Sequence, residues 1–298
     1  MPTLRYLHLD VFTSTPLEGN QLAVFPHPGD LAVETMQAIA NEMAFSETTF
    51  IYPPEAGGDV RMRIFTPTEE LPMAGHPTIG STFALAIEGT IPRGREHVLF
   101  ELGIGPTPVS LAWDGEGLSF AWMTQPLPTF GPVIGDRGGL AAAIALDERS
   151  LVPDLPAQIV SCGVPFLFVP IATRPAVDAV AIDRRALLRC CADAGVDEAG
   201  VFFFTTDGPE TVYSRMLATA FGIAEDPATG GASGPLGSYL LHHRVVSPDA
   251  AREMVSLQGV AMGRPSRIHI SIDGDHERIT RVRVGGQSVL VGRGELIL

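Results

Sequence analysis

A glycine, a histidine and a proline open the stretch AGHPTIGSTFALA, residues 74–86, and the residues that follow are small or apolar at helical spacing. Pro77 suits the first position of a helix, where its missing N–H costs nothing, and this places His76 at the N-cap. Gly75 allows a ligand to approach the backbone closely. A helix start has unpaired N–H groups and the positive end of the dipole, and these groups suit a carboxylate or another small anion.

A second stretch of this kind, DPATGGASGPLG at residues 226–237, also turns into a helix. Thr229 is a good N-cap, and Gly230 and Gly231 expose backbone N–H groups. One such turn alone indicates only a capped helix. Two of them at equivalent places in a repeated chain would meet across a cleft and form one site.

Two carboxylates accompany these turns. Glu47 begins an apolar strand in FSETTFIY, and Asp226 precedes Pro227 in the second stretch. Taken alone, the glutamate indicates a solvated side chain and the aspartate an Asx turn. In a closed cleft, however, burial raises the pKa of a carboxylate, which can then remove a proton from carbon and return it.

Charge and composition exclude several classes of protein. The 298-residue chain has a formal net charge of −14, which argues against binding to nucleic acid or to anionic membranes, since both need clustered cations. All 20 basic residues are arginine, so no lysine can form a Schiff base or bind phosphate in a Walker motif. No apolar stretch reaches the ~18 residues of a spanning helix, and the N-terminus alternates like a strand, so we expect a cytoplasmic protein.

The cysteines and paired histidines predict neither a disulfide framework nor a metal site. Cys162, Cys190 and Cys191 form no CxxC pair, which suits a reducing compartment. His242 and His243 are adjacent near the end of a predicted helix and point to different faces of it, so they are poorly placed to chelate a metal.

The predicted elements occur twice in a similar order. Each half has strands, a helix, two more strands, a glycine-rich turn running into a second helix, and a final set of strands. In the first half the first helix is predicted at residues 33–43, and strands are predicted at 47–52, 60–65 and 97–102. The two turn-helix units are offset by 153 residues, from His76 to Thr229, and the strands before them by 152 residues, from Val60 to Val212. An offset near half the chain length predicts two similar α+β domains in tandem.

The domain boundary is placed near residue 117. The first domain then comprises residues 1–117 with a returning terminal strand at about 285–298, and the second comprises residues 118–284. The glycine-rich stretch at residues 131–139 has the composition of a linker, but the strand before it could belong to either half.

Four stretches in this order, DVFTSTPLEGNQLAVF, FSETTFI, RIFTPTEELPMAGHPTIG and EDPATGGASGPLG, resemble the PhzF-like (phenazine-biosynthesis) family, which has the diaminopimelate-epimerase fold. The resemblance covers essentially the whole chain. It implies two similar domains, each a mostly antiparallel sheet wrapped around a central helix, with the site in the cleft between them. It further implies that no cofactor or metal is required and that the protein is a homodimer.

The resemblance also implies roles for individual residues. The family's proton-shuttling glutamate corresponds to Glu47, its histidine to His76 and its aspartate to Asp226. Two departures concern the helix starts. Other epimerases of this fold carry a cysteine at each start, which this chain lacks, and PhzF-like members often have serine where this chain has Gly231, so Ser233 is a candidate to supply the missing hydroxyl.

The sequence therefore predicts a cofactor-independent isomerase that shifts a proton on a small carboxylate-bearing metabolite. Catalysis is assigned to Glu47, assisted by His76 and Asp226. One alternative is an amino-acid epimerase or racemase of the same fold. Another is a ligand-binding or regulatory protein that has kept the fold without turnover.

Overall fold

The chain forms six α-helices and eighteen β-strands within residues 3–208, 210–218 and 223–298, which are the residues that the computed structural model describes. The helices are α1 (Val33–Met43), α2 (Gly75–Ile87), α3 (Arg137–Ala143), α4 (Arg174–Asp178), α5 (Arg184–Asp193) and α6 (Gly230–His242). The first nine strands are β1 (Thr3–Val11), β2 (Asn20–Phe25), β3 (Glu47–Tyr52), β4 (Val60–Phe65), β5 (Glu70–Leu71), β6 (His97–Leu102), β7 (Gly105–Trp113), β8 (Leu118–Gln125) and β9 (Thr129–Ile134). The other nine are β10 (Ala157–Ser161), β11 (Pro165–Pro170), β12 (Gly200–Thr206), β13 (Thr211–Ala218), β14 (Ile223–Asp226), β15 (Met254–Gln258), β16 (Ser266–Gly274), β17 (Ile279–Gly286) and β18 (Ser288–Ile297).

Strand pairing follows the same pattern twice. In the first half, β1–β2 is antiparallel, β2–β3 parallel, β3–β4 antiparallel and β4–β6 parallel, and β6–β7 and β7–β8 are antiparallel. In the second half, β10–β11, β11–β12, β12–β13, β13–β15, β15–β16 and β16–β17 repeat these directions in the same order. The predicted α+β fold with two similar units is confirmed.

Two strand pairs join distant parts of the chain. β8 pairs with β7 on one side and with β17 of the second half on the other. The terminal strand β18 pairs with β1 in an antiparallel register from Thr3–Ile297 to Val11–Ser288. Because β8 has a partner in each half, the division near residue 117 stays a prediction.

Helices α2 and α6 lie at the centres of the two halves. All residues of α2 from Gly75 to Leu85 and of α6 from Gly230 to Leu241 are buried. A helix that is apolar around its whole circumference requires such an environment, with sheet on several sides. Glycines let the sheets approach, since a Cβ at Gly80 would lie 2.5 Å from the Leu22 side chain. Each helix start is thus fixed by a core of its own.

Some predicted boundaries are corrected by the structure. α2 has Ala74 as its N-cap, so His76 is the second helical residue and Pro77 the third, and both lie two positions later in the helix than predicted. The glycine-rich stretch 131–139 is no linker, because its first part belongs to β9, which pairs with β10. Among the described residues, no helix is both long and apolar enough to cross a membrane.

Candidate active site

The starts of α2 and α6 touch each other. A Cβ at Gly75 would lie 2.4 Å from the carbonyl carbon of Gly230, and a Cβ at Gly230 would lie 3.0 Å from the Cα of Gly75. Real Cβ contacts are never as short as the first of these, and a Cβ at Gly230 would also lie 2.8 Å from Phe12 Cζ, so glycine is required at both positions. Neither start is capped by a side-chain hydrogen bond. Two positive dipole ends therefore face one small region, as the repeated turns predicted.

Thr229 occupies the predicted N-cap position of α6, but its hydroxyl has a different partner. The hydroxyl donates to Asp226 Oδ2 at 2.5 Å instead of accepting from the helix. Gln258, which is fully buried, holds the same turn through three contacts. Its Nε2 donates to the Asp226 backbone oxygen and to Thr229 Oγ1 at 2.7 and 2.9 Å, and its Oε1 accepts from the Thr229 N–H at 3.0 Å.

Asp226 is buried and bound from across the cleft by two residues of the first half. Asn20 Nδ2 and Ser46 Oγ both donate to its Oδ1 at 2.8 Å. Asn20 Nδ2 also donates to the backbone oxygen of Ala228 at 3.0 Å. Burial raises the pKa of Asp226, while the hydrogen bonds from Thr229, Ser46 and Asn20 oppose this rise. The sequence pattern assigned no function to Asn20 or Ser46, although both lie in stretches that resemble the family.

Glu47 is the first residue of β3 and is buried rather than solvated. Alternate residues of a strand share a face, and Thr49, two residues on, faces α2, since its hydroxyl lies 2.9 Å from that of Ser81. The alternation therefore directs Glu47 toward the start of the same helix. Burial raises the pKa of Glu47 well above its usual 4.5, and the nearby charge of Asp226 raises it further.

His76 lies within reach of Glu47. Its Nε2 is 3.3 Å from Glu47 Oε2, and neither atom has a hydrogen-bond partner among the described residues. Its Nδ1 is 3.2 Å from Asn20 Nδ2. Burial lowers the pKa of His76 to about 3, against a smaller opposing effect of a hydrogen bond to the Gln21 backbone. Burial thus disfavours the charged form of both side chains, which weakens an ion pair between them.

A cavity of about 50 Å³ lies between these groups and the two helix starts, which is room for a few water molecules. Residues of both halves line it. The polar lining residues are Glu47, Thr66, His76, Asp226 and Thr229, the glycines are Gly75, Gly230 and Gly231, and the apolar residues are Leu71, Met73, Ala74, Val164, Phe166 and Met216.

Of the seven residues predicted for the site, the structure brings six together around this cavity, and Ser233 is the exception. Ser233 is fully buried within α6, and its hydroxyl donates to the Thr229 backbone oxygen at 2.9 Å. The suggestion that it replaces a hydroxyl at position 231 is therefore corrected, because a serine one turn into a helix bonds back to the preceding turn. The roles of the other six residues remain predictions.

The cysteines and the paired histidines lie elsewhere. Cys162 is buried in the second core, and burial raises the pKa of its thiol to about 12. His243 Nε2 contacts Gln158 Oε1 at 2.8 Å, and the ring of His242 stacks on Phe130. Across the described residues, no three His, Cys, Asp or Glu side chains are grouped closely enough to hold a metal ion.

Comparison with known proteins gives a consistent result over the full chain. A sequence model of the phenazine biosynthesis-like protein family matches residues 9–294. Over 300 residues the chain is 35% identical to a trans-2,3-dihydro-3-hydroxyanthranilate isomerase from Pseudomonas fluorescens, a match that covers 98% of this chain and 99% of that protein.

Solved structures agree. A phenazine biosynthesis protein of the PhzF family from Bacillus anthracis superimposes with a TM-score of 0.85 at 26% identity, covering 100% of both chains. A hydroxyproline epimerase from Agrobacterium vitis, solved with trans-4-hydroxy-L-proline, has a TM-score of 0.71 at 12% identity over 99% of this chain and 92% of that one, which shows a shared fold alone. The family match and the full-length relatives lead to one conclusion: this chain belongs to the phenazine biosynthesis-like family and is an isomerase of the PhzF type.

Proposed function

We propose that the cavity between the two helix starts is the active site and that Glu47 moves a proton between two carbons of a small carboxylate-bearing substrate. The observation that supports this most directly is the pair formed by Glu47 and His76. A buried carboxyl group with a raised pKa lies 3.3 Å from a buried neutral imidazole, beside two uncapped helix starts. Perturbed titratable groups that meet in a cavity are typical of acid–base sites.

The reaction balances with one carboxyl group. Ionised Glu47 takes a proton from an sp3 carbon of the substrate, and the electron pair left behind delocalises into an adjacent double bond. The carboxylic acid then returns the proton to a different carbon, so that a double bond has moved and no atom or electron is gained. General acid–base catalysis of this type contributes roughly 10²- to 10⁴-fold in rate.

The remaining groups bind the substrate and stabilise charge. The N–H groups at the starts of α2 and α6 suit the substrate carboxylate and the negative charge that develops during proton removal. His76 and Asp226 line the cavity, where they can bind amine or hydroxyl groups. The Pseudomonas fluorescens relative acts on trans-2,3-dihydro-3-hydroxyanthranilate, and we propose a substrate of that chemical class for this chain.

Incubation of the protein with trans-2,3-dihydro-3-hydroxyanthranilate in heavy water tests this proposal. We expect a shift of the ring double bond, followed by NMR, with the fate of the moved hydrogen read from its deuterium content. An epimerase would instead exchange deuterium at a stereocentre without moving a double bond. The same experiment thus separates the two enzymatic alternatives.

Replacing Glu47 tests the assigned base. Glu47→Gln keeps the size of the side chain but cannot accept a proton, so kcat should fall by roughly 10²- to 10⁴-fold. Glu42→Gln, the same change at an exposed position of α1, serves as the matched control and should leave kcat unchanged. If Glu47→Gln retains full activity, the assignment is wrong; if the native chain binds ligands but turns none over, a binding protein is the better description.

A dimer of identical chains stays a prediction. Light scattering of the purified protein would measure its mass in solution. A mass of twice 31.7 kDa is the expected result, and a mass of 31.7 kDa would contradict it.

A further inference from the structure

The three glycines at the two helix starts have different surroundings. Gly75 and Gly230 are required because each lies against the backbone of the other. Gly231 has no such contact. A Cβ at this position would have the Phe166 ring as its nearest neighbour, with Cε2 at 3.9 Å and Cζ at 4.0 Å, which is ordinary van der Waals contact.

The backbone gives no reason for glycine at position 231 either. Gly231 is not among the glycines with positive φ, so any amino acid could adopt its conformation. Within a helix, glycine is less favourable than alanine by roughly 1 kcal/mol. Neither the neighbouring atoms nor the local conformation therefore explains the absence of a side chain, yet Gly231 lines the cavity.

The space that this glycine leaves is apolar. Phe166, the nearest neighbour, is almost fully buried, as is Met216, and both line the cavity together with Val164. Both halves contribute polar and apolar lining residues, but this apolar group comes from strands β11 and β13 and the turn before β11. Next to Gly231 the cavity is therefore bounded by the hydrocarbon of Phe166.

We propose that Gly231 is a specificity-determining position, and that the space between it and Phe166 accepts a hydrocarbon part of the substrate. The substrate is then a carboxylate with a compact apolar group at the end remote from its polar substituents. This inference rests on the proposed function, since it takes the same cavity as the substrate site. It predicts that a single methyl group added at position 231 narrows the choice of ligand without disturbing the fold.

Substituted benzoates serve as inert probes of this space. We propose titrating the native chain with benzoate and with benzoates that carry a methyl or ethyl group at ring position 3 or 4, and measuring Kd by calorimetry. At least one alkylated member should bind about tenfold more tightly than benzoate, which is a typical effect of one methylene in an apolar pocket. Gly231→Ala should remove that preference while leaving the Kd of benzoate unchanged.

A matched control distinguishes selectivity from a general effect of the substitution. Gly135→Ala makes the same change at an exposed loop position with open space around it, and should leave every Kd and the melting temperature unchanged. Gly231→Ala should also keep the native melting temperature, because the added methyl meets no clash. Equal weakening of every benzoate would show that the glycine serves carboxylate binding instead, and would overturn the proposal. The proposal would also be overturned if the native chain bound all the benzoates with the same affinity, or bound none of them.

The outcome for this inference is separable from that for the proposed function. Glu47→Gln should abolish proton transfer while keeping the order of benzoate affinities. If the affinity series behaves as expected but no proton transfer occurs in heavy water, the proposed function fails and the size selection stands. If proton transfer occurs while Gly231→Ala leaves the series unaltered, the function stands and the inference fails.

Discussion

Three side chains carry the chemistry proposed for this cleft, and each is buried in surroundings that disfavour its charged form. Burial raises the pKa of Glu47 and Asp226 and lowers that of His76. Asp226 is stabilised by donors from Asn20 and Ser46, whereas the facing atoms of Glu47 and His76 have no such partners among the described residues. The unsatisfied pair is therefore the place where a substrate gains most by binding.

The pH dependence of the rate follows from the raised pKa of Glu47. Only the ionised carboxylate can take a proton from carbon, so log(kcat/KM) should rise with unit slope as the pH increases and level off above a pKa well over 4.5. A stopped assay of the isomerisation across pH 4–9 measures this profile. A rate that is flat above pH 4.5 would contradict a buried glutamate base.

The acid stability of the protein depends on His76. Its pKa falls from 6.5 in the unfolded chain to about 3 in the folded one, so below pH 6.5 the unfolded state binds a proton that the folded state does not. The stability that this residue contributes is complete above pH 6.5 and is lost as the pH falls from 6.5 toward about 3. When the pH is lowered from 7 to 4, the free energy of unfolding of His76→Asn should therefore decrease less than that of the native chain. Urea denaturation at each pH measures both values. His97→Asn, at an exposed position of β6, should behave like the native protein.

At the level of elements, the contact of α2 with α6 fixes the position of one half against the other. Replacing Gly75 tests how little extra volume this contact tolerates. In Gly75→Ala the new methyl would lie within 2.6 Å of three backbone atoms of Gly230 and Gly231, which cannot move independently of α6. We expect a loss of about 1–3 kcal/mol in the free energy of unfolding, as for an overpacked core, together with a sharp loss of activity. Gly231→Ala, one residue past the same contact, should keep native stability in the same urea titration.

Much of this architecture could be predicted from the sequence. The pattern of apolar residues predicted α1 at 33–43 and the strands at 47–52, 60–65 and 97–102, with the same bounds as in the structure. These elements have clear periodicity and are closed by turn residues, so local signals suffice.

Other elements were missed for physical reasons. β9 contains Gly131 and Pro132, which are unfavourable in a central strand but tolerated here because β9 pairs only with β10 among the described strands. In the site, Asp226 could be named from a resemblance, but Asn20 and Ser46 could not be recognised as its partners. Their importance depends on hydrogen bonds across 180 or more positions in sequence, which no local pattern contains.

For the whole molecule, the small cavity has a consequence for ligand binding. Residues of both halves line it, so a ligand bound there lies beside both helix starts. We expect benzoate to slow hydrogen exchange of the backbone amides at the starts of both α2 and α6, because a ligand that binds the folded state stabilises it against local opening. The amides of α1, which lies outside the cavity lining, provide the internal control. Protection at only one helix start would contradict a shared site.

The pairing of β18 with β1 affects the order in which the protein can assemble on the ribosome. β1 lies between β2 and β18, so one whole edge of it has no partner until residues 288–297 leave the exit tunnel. An unpaired strand edge is a template for association with other chains. The amino-terminal half is therefore exposed to aggregation while the second half is translated, and the emergence of β18 is what finally protects the first strand.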